Sequence, residues 1–360
     1  MIATTDKRLI PASGEARRRR RLSALCLMLA LALPALAAAG CATQGTAKAA
    51  ASASPRPAEA AAQPATRPFV RTDRAVKLRL LQRLAQPPRI LIFGGSRATR
   101  IEPAEFRRLT GRPGFNLAFQ NGRPEDAWAF VNYARRRFPK TPLQVVWLLH
   151  VEAFREQGLS PGLIQEPQLS RWFPPALIAA EKTKLPQTPE ELPPGKDLAL
   201  TRFGADGVVL HNRYDLAEAR GRPLFRAVDY SITTALERYE TTTAALYPRS
   251  QKYFTKTMAL LDRMGTTQVV VLAPLHPRLL AEVRDAGWSE RHAEVVAWLR
   301  REQKKHPFRI LDLSDLSSME GDPDAFYDGF HVKRANARRL VRTVVSAFPE
   351  AFGGSAGARD

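Results

Sequence analysis

Short apolar runs alternate with segments of helical period along much of this chain, and that alternation limits what it can fold into. Arg89–Phe93 (RILIF) is apolar and runs into Gly94-Gly95-Ser96, a buried strand followed by a sharp turn. Pro103–Leu109 opens on proline and reads as a short helix. Phe115–Phe119 (FNLAF) reads as a second strand. Pro124–Phe138 carries Ala127, Phe130, Val131 and Ala134 at helical spacing. Leu143–Val151 (LQVVWLLHV) is apolar nearly throughout, as a central parallel strand is. The pattern resumes later. Ser250–Met264 is a helix closed by Gly265, and Gln268–Ala273 (QVVVLA) is a strand. Pro277–Ala286 and Glu290–Lys305 are helices, Phe308–Leu313 (FRILDL) the last strand, and Lys333–Phe348 the last helix. Strands alternating with helices predict an α/β protein with a parallel sheet covered on both faces.

Between these halves the pattern breaks. Eight prolines fall between residues 152 and 200. The segment is too long for an ordinary loop. Residues 152–248 are expected to be an insertion that serves as a lid or a partner surface, with Ala227–Leu246 as a helix inside it. Trp172-Phe173-Pro174 within it offers rings that could stack on a sugar or simply pack locally.

The N-terminus reads as an export signal. Five arginines at 17–21 precede the apolar run Leu22–Ala39, and small residues lead to Gly40-Cys41. Eighteen residues also lie at the short end of a membrane span, so an uncleaved anchor is the alternative. Pro34 and the small residues favour cleavage, and the arginines also permit a twin-arginine signal. The run A-A-G-C resembles a bacterial lipobox, which makes Cys41 the candidate lipidation site; ordinary cleavage after Ala39 is the other reading. No cysteine follows Cys41, so the remaining chain keeps a single thiol where a lipid would need it. Residues 42–68 are rich in alanine and proline, cannot bury a core, and read as a tether. The folded domain is therefore expected over residues 69–360, exported and periplasmic or held at a membrane by its lipid.

Charge and composition narrow the chemistry. The chain carries a net +20, of which +5 lies in residues 1–41 and +15 in the rest. Anionic lipid or acidic polysaccharide suits an exported partner better than nucleic acid, which is not expected; arginine on solvated faces is the plain alternative. Two cysteines rule out a disulfide framework and a cysteine zinc site. The six histidines form no metal-binding pair, and no cofactor is expected.

In a parallel sheet ligands bind beyond the carboxyl ends of the strands. The segments there are Gly94-Gly95-Ser96-Arg97, Gln120-Asn121-Gly122, His150 to Glu152, Pro274-Leu275-His276-Pro277, and the run from Asp324 to His331 before the last helix. A serine hydroxyl becomes a nucleophile when an imidazole takes its proton, and the imidazole needs an acceptor to orient it. Ser96 is the candidate nucleophile, with Asp328 and His331 three apart in one loop as orienter and base. Arg97 and Ala98 follow the serine, so this is not the G-x-S-x-G elbow. Arg97 and His276 are candidate pocket residues. Asp312 and Asp315 read as caps without a further role.

These motifs resemble the SGNH/GDSL hydrolase superfamily, in its bacterial cell-envelope branch. GGSR after the first strand and FYDGFHVKRANARRL near the end stand in that family's order, and FNLAFQNGRPED and VVVLAPLHP resemble its second block and fourth strand. The likeness covers about residues 89–151 and 250–347. It implies a flavodoxin-like three-layer α/β/α sandwich, and Ser96, Asp328 and His331 as catalytic residues. It also implies an esterase or O-acyltransferase acting on an acylated polysaccharide, with a membrane-bound acyltransferase as a candidate partner. The departures are specific. Gly95 replaces the aspartate before the serine, and the second-block glycine aligns with Asn121 or Gly122. Leu149-His150-Val151-Glu152 stands where a Gly-x-Asn-Asp would complete the oxyanion hole. His150, Asn121 or a residue of the 152–248 segment is then the candidate donor, beside backbone N–H groups near Ser96 and Gly122. A catalytically inactive binding or assembly subunit of a polysaccharide-modifying complex is the alternative.

Overall fold

The five apolar runs form five parallel strands of a single sheet, in the spatial order Gly114–Ala118, Ile90–Gly94, Gln144–Leu149, Gln268–Leu272 and Phe308–Asp312. A computed structural model describes residues 72–186, 198–241 and 246–353. The expected signal, tether and lipidation site at Cys41 lie outside those residues. Among the described residues no helix is long and apolar enough to cross a membrane.

Helix α1 (Asp73–Gln82) leads into β1 (Ile90–Gly94), α2 (Pro103–Thr110), β2 (Gly114–Ala118), α3 (Pro124–Arg137) and β3 (Gln144–Leu149). Three short helices follow, α4 (Pro161–Gln165), α5 (Pro167–Ser170) and α6 (Pro175–Lys182). An antiparallel pair, β4 (Arg202–Phe203) and β5 (Val209–His211), precedes α7 (Arg213–Ala219) and α8 (Leu224–Thr241). The chain then returns through α9 (Pro248–Asp262), β6 (Gln268–Leu272), α10 (Pro277–Val283), α11 (Ser289–Gln303), β7 (Phe308–Asp312) and α12 (Arg334–Ala347).

Alternate strand residues feed two cores. Leu91, Phe93, Val145, Trp147, Val270 and Leu272 meet α1, α3, α9 and α11 on one face. Ile90, Ile92, Val146, Leu148, Val269 and Val271 meet Phe106 of α2 and Leu340, Val341 and Val344 of α12 on the other. Each such side chain contributes roughly 1.5–3 kcal/mol on burial. The expected α/β sandwich is thus the observed architecture. Because β2 and β3 flank β1, the connections reverse direction beside β1, and the crevice between the ends of β1 and β3 is the place for a site.

The described residues of the 152–248 segment, expected as an insertion serving as a lid or a partner surface, pack in part into the main core. Leu163, Ile164, Leu169, Phe173 and Ile178 of this segment are buried in the first core. Phe173 is buried and meets Tyr253 edge-on at 5.1 Å, and Trp172 packs half-buried against the same core. Helix α8 starts at Leu224, just after Pro223, and packs on α10 through Ala235, Tyr239, Leu279 and Val283.

Helix α1 has no counterpart in the apolar pattern, because Asp73, Arg74 and Lys77 are buried on it beside Ala75, Leu78 and Leu81. Lys77 is fully buried, and its Nζ donates to Asn116 Oδ1 (3.0 Å) and Ala118 O (2.6 Å). Asn116 Nδ2 in turn donates to Ala98 O and Ile101 O, directly beneath the turn that carries Ser96. Burial pushes the Lys77 ammonium down to about 7, against the opposing pull of Asp73. Between pH 7 and 10.5 the unfolded chain then holds a proton that the folded chain lacks. Stability is expected to rise with pH through that window, by up to about 1.4 kcal/mol per unit. The rise should vanish in Lys77→Met. Urea unfolding at several pH values checks this, and equal slopes in the two proteins would overturn it.

Candidate active site

Strand β1 ends in a conformation that only glycine accepts. Gly94 has φ +153°, and a Cβ there would lie 2.6 Å from Leu148 O. The chain then enters a 3-10 turn over Ser96–Ala98, closed by Ala98 N–H to Gly95 O at 3.0 Å and Thr99 N–H to Ser96 O at 3.3 Å. The turn's first amides, those of Ser96 and Arg97, precede its first hydrogen bond and stand at its open end. Ser96 itself is partly exposed.

The loop before α12 brings the other two residues. Asp328 Oδ1 accepts from the N–H groups of Phe330 and His331, both at 2.8 Å, which fixes the carboxylate. Both carboxylate oxygens lie 2.9 Å from His331 Nδ1. His331 Nε2 lies 2.8 Å from Ser96 Oγ. The loop is pinned from two sides. His276 N–H donates to Gly329 O at 3.0 Å, and Gly329 N–H donates to Ser231 Oγ of α8 at 3.1 Å. Burial alone would raise the Asp328 carboxyl, but His331 and the two backbone N–H groups outweigh it and hold it below its ordinary value. An ionised Asp328 only accepts, so His331 Nδ1 carries the proton and Nε2 presents its lone pair to the serine O–H. That array can draw the proton from Ser96 as its oxygen attacks a carbonyl carbon.

A second carboxylate organises the floor between β1 and β3. Glu152 is buried on the 3-10 turn Val151–Phe154. It accepts from Tyr239 Oη at 2.7 Å and Arg97 at 3.4 Å, and it meets His150 Nδ1 at 2.8 Å. Arg238 approaches it at 3.8 Å. Burial pushes the Glu152 carboxyl up, but Arg97 and the hydrogen bonds of His150 and Tyr239 prevail and hold it well below the usual carboxylate range. The His150 imidazole is lowered by burial, with Glu152 opposing.

These contacts revise several expected roles. Neutral His150 donates its Nδ1–H to Glu152 in a hydrogen bond, so its Nε2, 2.7 Å from where a Cβ on Gly95 would sit, is an acceptor. It cannot donate to an oxyanion. Arg97 is buried, stacks 4.6 Å over Phe330, and pairs with Glu152. Gly122 N–H donates to Phe119 O at 3.0 Å, so it is engaged within its own turn. A Cβ on Gly122 would meet Gly94 O at 2.0 Å, and this glycine serves the close approach of two loops. Asn121 is exposed at φ +50°, in a loop that Arg74 holds through Gln120 O (2.7 Å) and Asn121 O (3.4 Å). His276 caps α10, its Nδ1 accepting from Arg278 N–H at 3.2 Å, and it does not line the cavity beside the triad. Asp315 caps the turn at Leu316–Met319, and Asp312 meets His292 at 2.8 Å. The amides of Ser96 and Arg97 are therefore the donors that the turn itself offers an oxyanion.

Tyr214 is the residue that the sequence reading missed. Its hydroxyl lies 3.2 Å from His331 Nε2, and its ring is 4.4 Å from the imidazole. Helix α7 carries it there, started by an Asn212/Asp215 capping box. Arg100 fixes the segment, donating to Val209 O, Leu210 O and Asn212 Oδ1 and pairing with Asp215. The spacing Asn212-x-x-Asp215 marks the helix in the sequence, but nothing local marks what Tyr214 touches. No family model matches the chain, and no curated protein is similar to it.

Proposed function

We propose that the chain is an exported SGNH-type serine esterase or O-acyltransferase acting on acyl esters of a cell-envelope or secreted polysaccharide. The observation that carries this reading is the continuous path from Ser96 Oγ to His331 Nε2 (2.8 Å) and from His331 Nδ1 to Asp328 (2.9 Å). Ser96 attacks the acyl carbon while His331 takes its proton. The amides of Ser96 and Arg97 stabilise the oxyanion. The sugar oxygen leaves with the proton from His331, which yields an acyl-Ser96 ester. Water or a second sugar hydroxyl, deprotonated by His331, then attacks that ester and frees Ser96. Lipidation at Cys41 and the 42–68 tether would hold the domain at a membrane, within reach of a membrane-bound acyltransferase.

A second reading is a non-catalytic binding subunit on the same fold. The engaged Gly122 N–H and the acceptor character of His150 Nε2 favour it, because they leave the oxyanion few donors. A fluorophosphonate probe separates the two. Labelling of Ser96 that is lost in His331→Ala supports the enzyme. A folded protein that stays unlabelled supports the binding subunit.

A further inference from the structure

A cavity of about 610 Å³ opens beside the His331 imidazole, between α7, α8 and the loop that carries Asp328. Its walls are unequal in charge. Arg213, Arg222, Arg238 and Lys333 line it, against only Glu218 and Asp328. Both acids are engaged, Glu218 by Lys333 at 2.7 Å and Asp328 by His331. Of the arginines, Arg213 donates to Tyr214 Oη at 3.1 Å and Arg238 lies 3.8 Å from Glu152, and the wall keeps a positive excess. The three arginines come from three places: the start of α7, the turn before α8, and the last turn of α8. Each stands over a ring. Arg213 is 5.0 Å from Tyr214, Arg222 is 5.8 Å from Tyr230, and Arg238 is 6.0 Å from Phe330. Tyr230 is 66% exposed at this wall, open to a ligand's face.

We infer that this cavity binds an anionic group of the substrate, so that the ester-bearing saccharide is itself acidic. The inference rests on the ester chemistry proposed above, which sets the ester at Ser96, across the His331 imidazole from the cavity. A concave wall with excess positive charge concentrates anions. Guanidinium forks match the planar carboxylate and the sulfate group. Tyrosine and phenylalanine rings suit the apolar faces of sugars. A neutral glycan would use the rings alone and draw nothing from the net positive charge of the wall.

Calorimetric titration of the full-length Ser96→Ala chain tests this. The probes are trigalacturonate, a sulfated heparin disaccharide and the neutral xylotriose. At least one anionic probe is expected to bind about tenfold more tightly than xylotriose, and the tighter of the two identifies the group as carboxylate or sulfate. Arg213→Gln/Arg222→Gln should remove about tenfold of that affinity. Arg300→Gln, on α11 and outside the cavity, removes one charge and should change it less than twofold. Equal affinity for anionic and neutral probes would overturn the inference, as would a loss in Arg300→Gln as large as in the cavity variant. Turnover of 4-nitrophenyl acetate by the unaltered chain separates the two levels. Anion selectivity without turnover keeps the anion site and defeats the ester chemistry. Turnover without selectivity keeps the chemistry and defeats the anion site.

Discussion

Asp328→Asn is expected to lower turnover of a 4-nitrophenyl acyl ester by about 10³–10⁴-fold while leaving the protein folded. The reason lies in how the carboxylate is held. Oδ1 accepts from the N–H groups of Phe330 and His331, both at 2.8 Å, and only an oxygen can take that place. The asparagine amide nitrogen is therefore forced into the Oδ2 position, 2.9 Å from His331 Nδ1. There it donates toward Nδ1. The one acceptor left to an Nδ1–H is Oδ1, also 2.9 Å away but already holding two N–H groups, so the imidazole proton shifts toward Nε2. Nε2 then gives a hydrogen bond to Ser96 Oγ where it should remove a proton. The loop keeps both backbone hydrogen bonds, so the loss falls on kcat and fluorophosphonate labelling rather than on the melting temperature. Asp328→Ala should lose activity as well but also loosen the loop, since two buried N–H groups lose their acceptor. Steady-state kinetics beside thermal unfolding checks both variants. An asparagine variant that keeps more than about a tenth of the turnover would remove Asp328 from the mechanism.

The difference between what the sequence displays and what it conceals follows from how each residue is held. The strands announce themselves because a buried parallel strand must be apolar on both faces, as RILIF and QVVVLA are. Ser96, Asp328 and His331 were legible for a topological reason. Loops that follow parallel strands all emerge on one edge, so chemistry at strand ends converges whatever the distance in sequence. Boundaries shifted where side-chain character continued past the backbone. Leu143–Val151 reads as one apolar run, yet β3 stops at Leu149 because His150 O accepts from Ala153 N–H and starts a 3-10 turn. Tyr214 and Tyr239 were concealed because their partners, His331 and Glu152, lie 117 and 87 residues away on other elements. Helix α1 was concealed for the opposite reason from the strands. Asp73, Arg74 and Lys77 look solvated in the sequence but are buried against partners that only the fold supplies. His150 invited a donor role by its place after β3, and Glu152 two residues on reverses that role by accepting the hydrogen bond of Nδ1–H, which leaves Nε2 as an acceptor.

Glu152 shows the largest expected effect on stability. Its side chain is 5% exposed and answers Arg97, His150 and Tyr239 at once. Glu152→Ala leaves a buried guanidinium, an imidazole N–H and a phenol without their shared acceptor. Removing one partner of a buried ion pair costs about 3–5 kcal/mol, because the remaining charge stays desolvated. Glu152→Gln keeps the shape and one acceptor, and should cost less, about 1–3 kcal/mol. The pH dependence distinguishes charge from packing. The Glu152 carboxyl titrates well below its ordinary value of 4.5 in the folded protein, so the unfolded chain binds its proton first as pH falls. Its contribution is complete above that ordinary value and is lost as pH falls through the depressed one. The stability difference between the unaltered chain and Glu152→Gln is therefore expected to be constant near neutrality and to shrink below about pH 4. Urea unfolding of the three proteins across that range measures it. A neutral-pH loss under about 1 kcal/mol for Glu152→Ala would mean that Arg97 finds solvent or another carboxylate when Glu152 is gone. Arg97 follows Ser96 directly, so losing its carboxylate partner also disturbs the nucleophile turn, and reduced fluorophosphonate labelling should accompany the loss of stability.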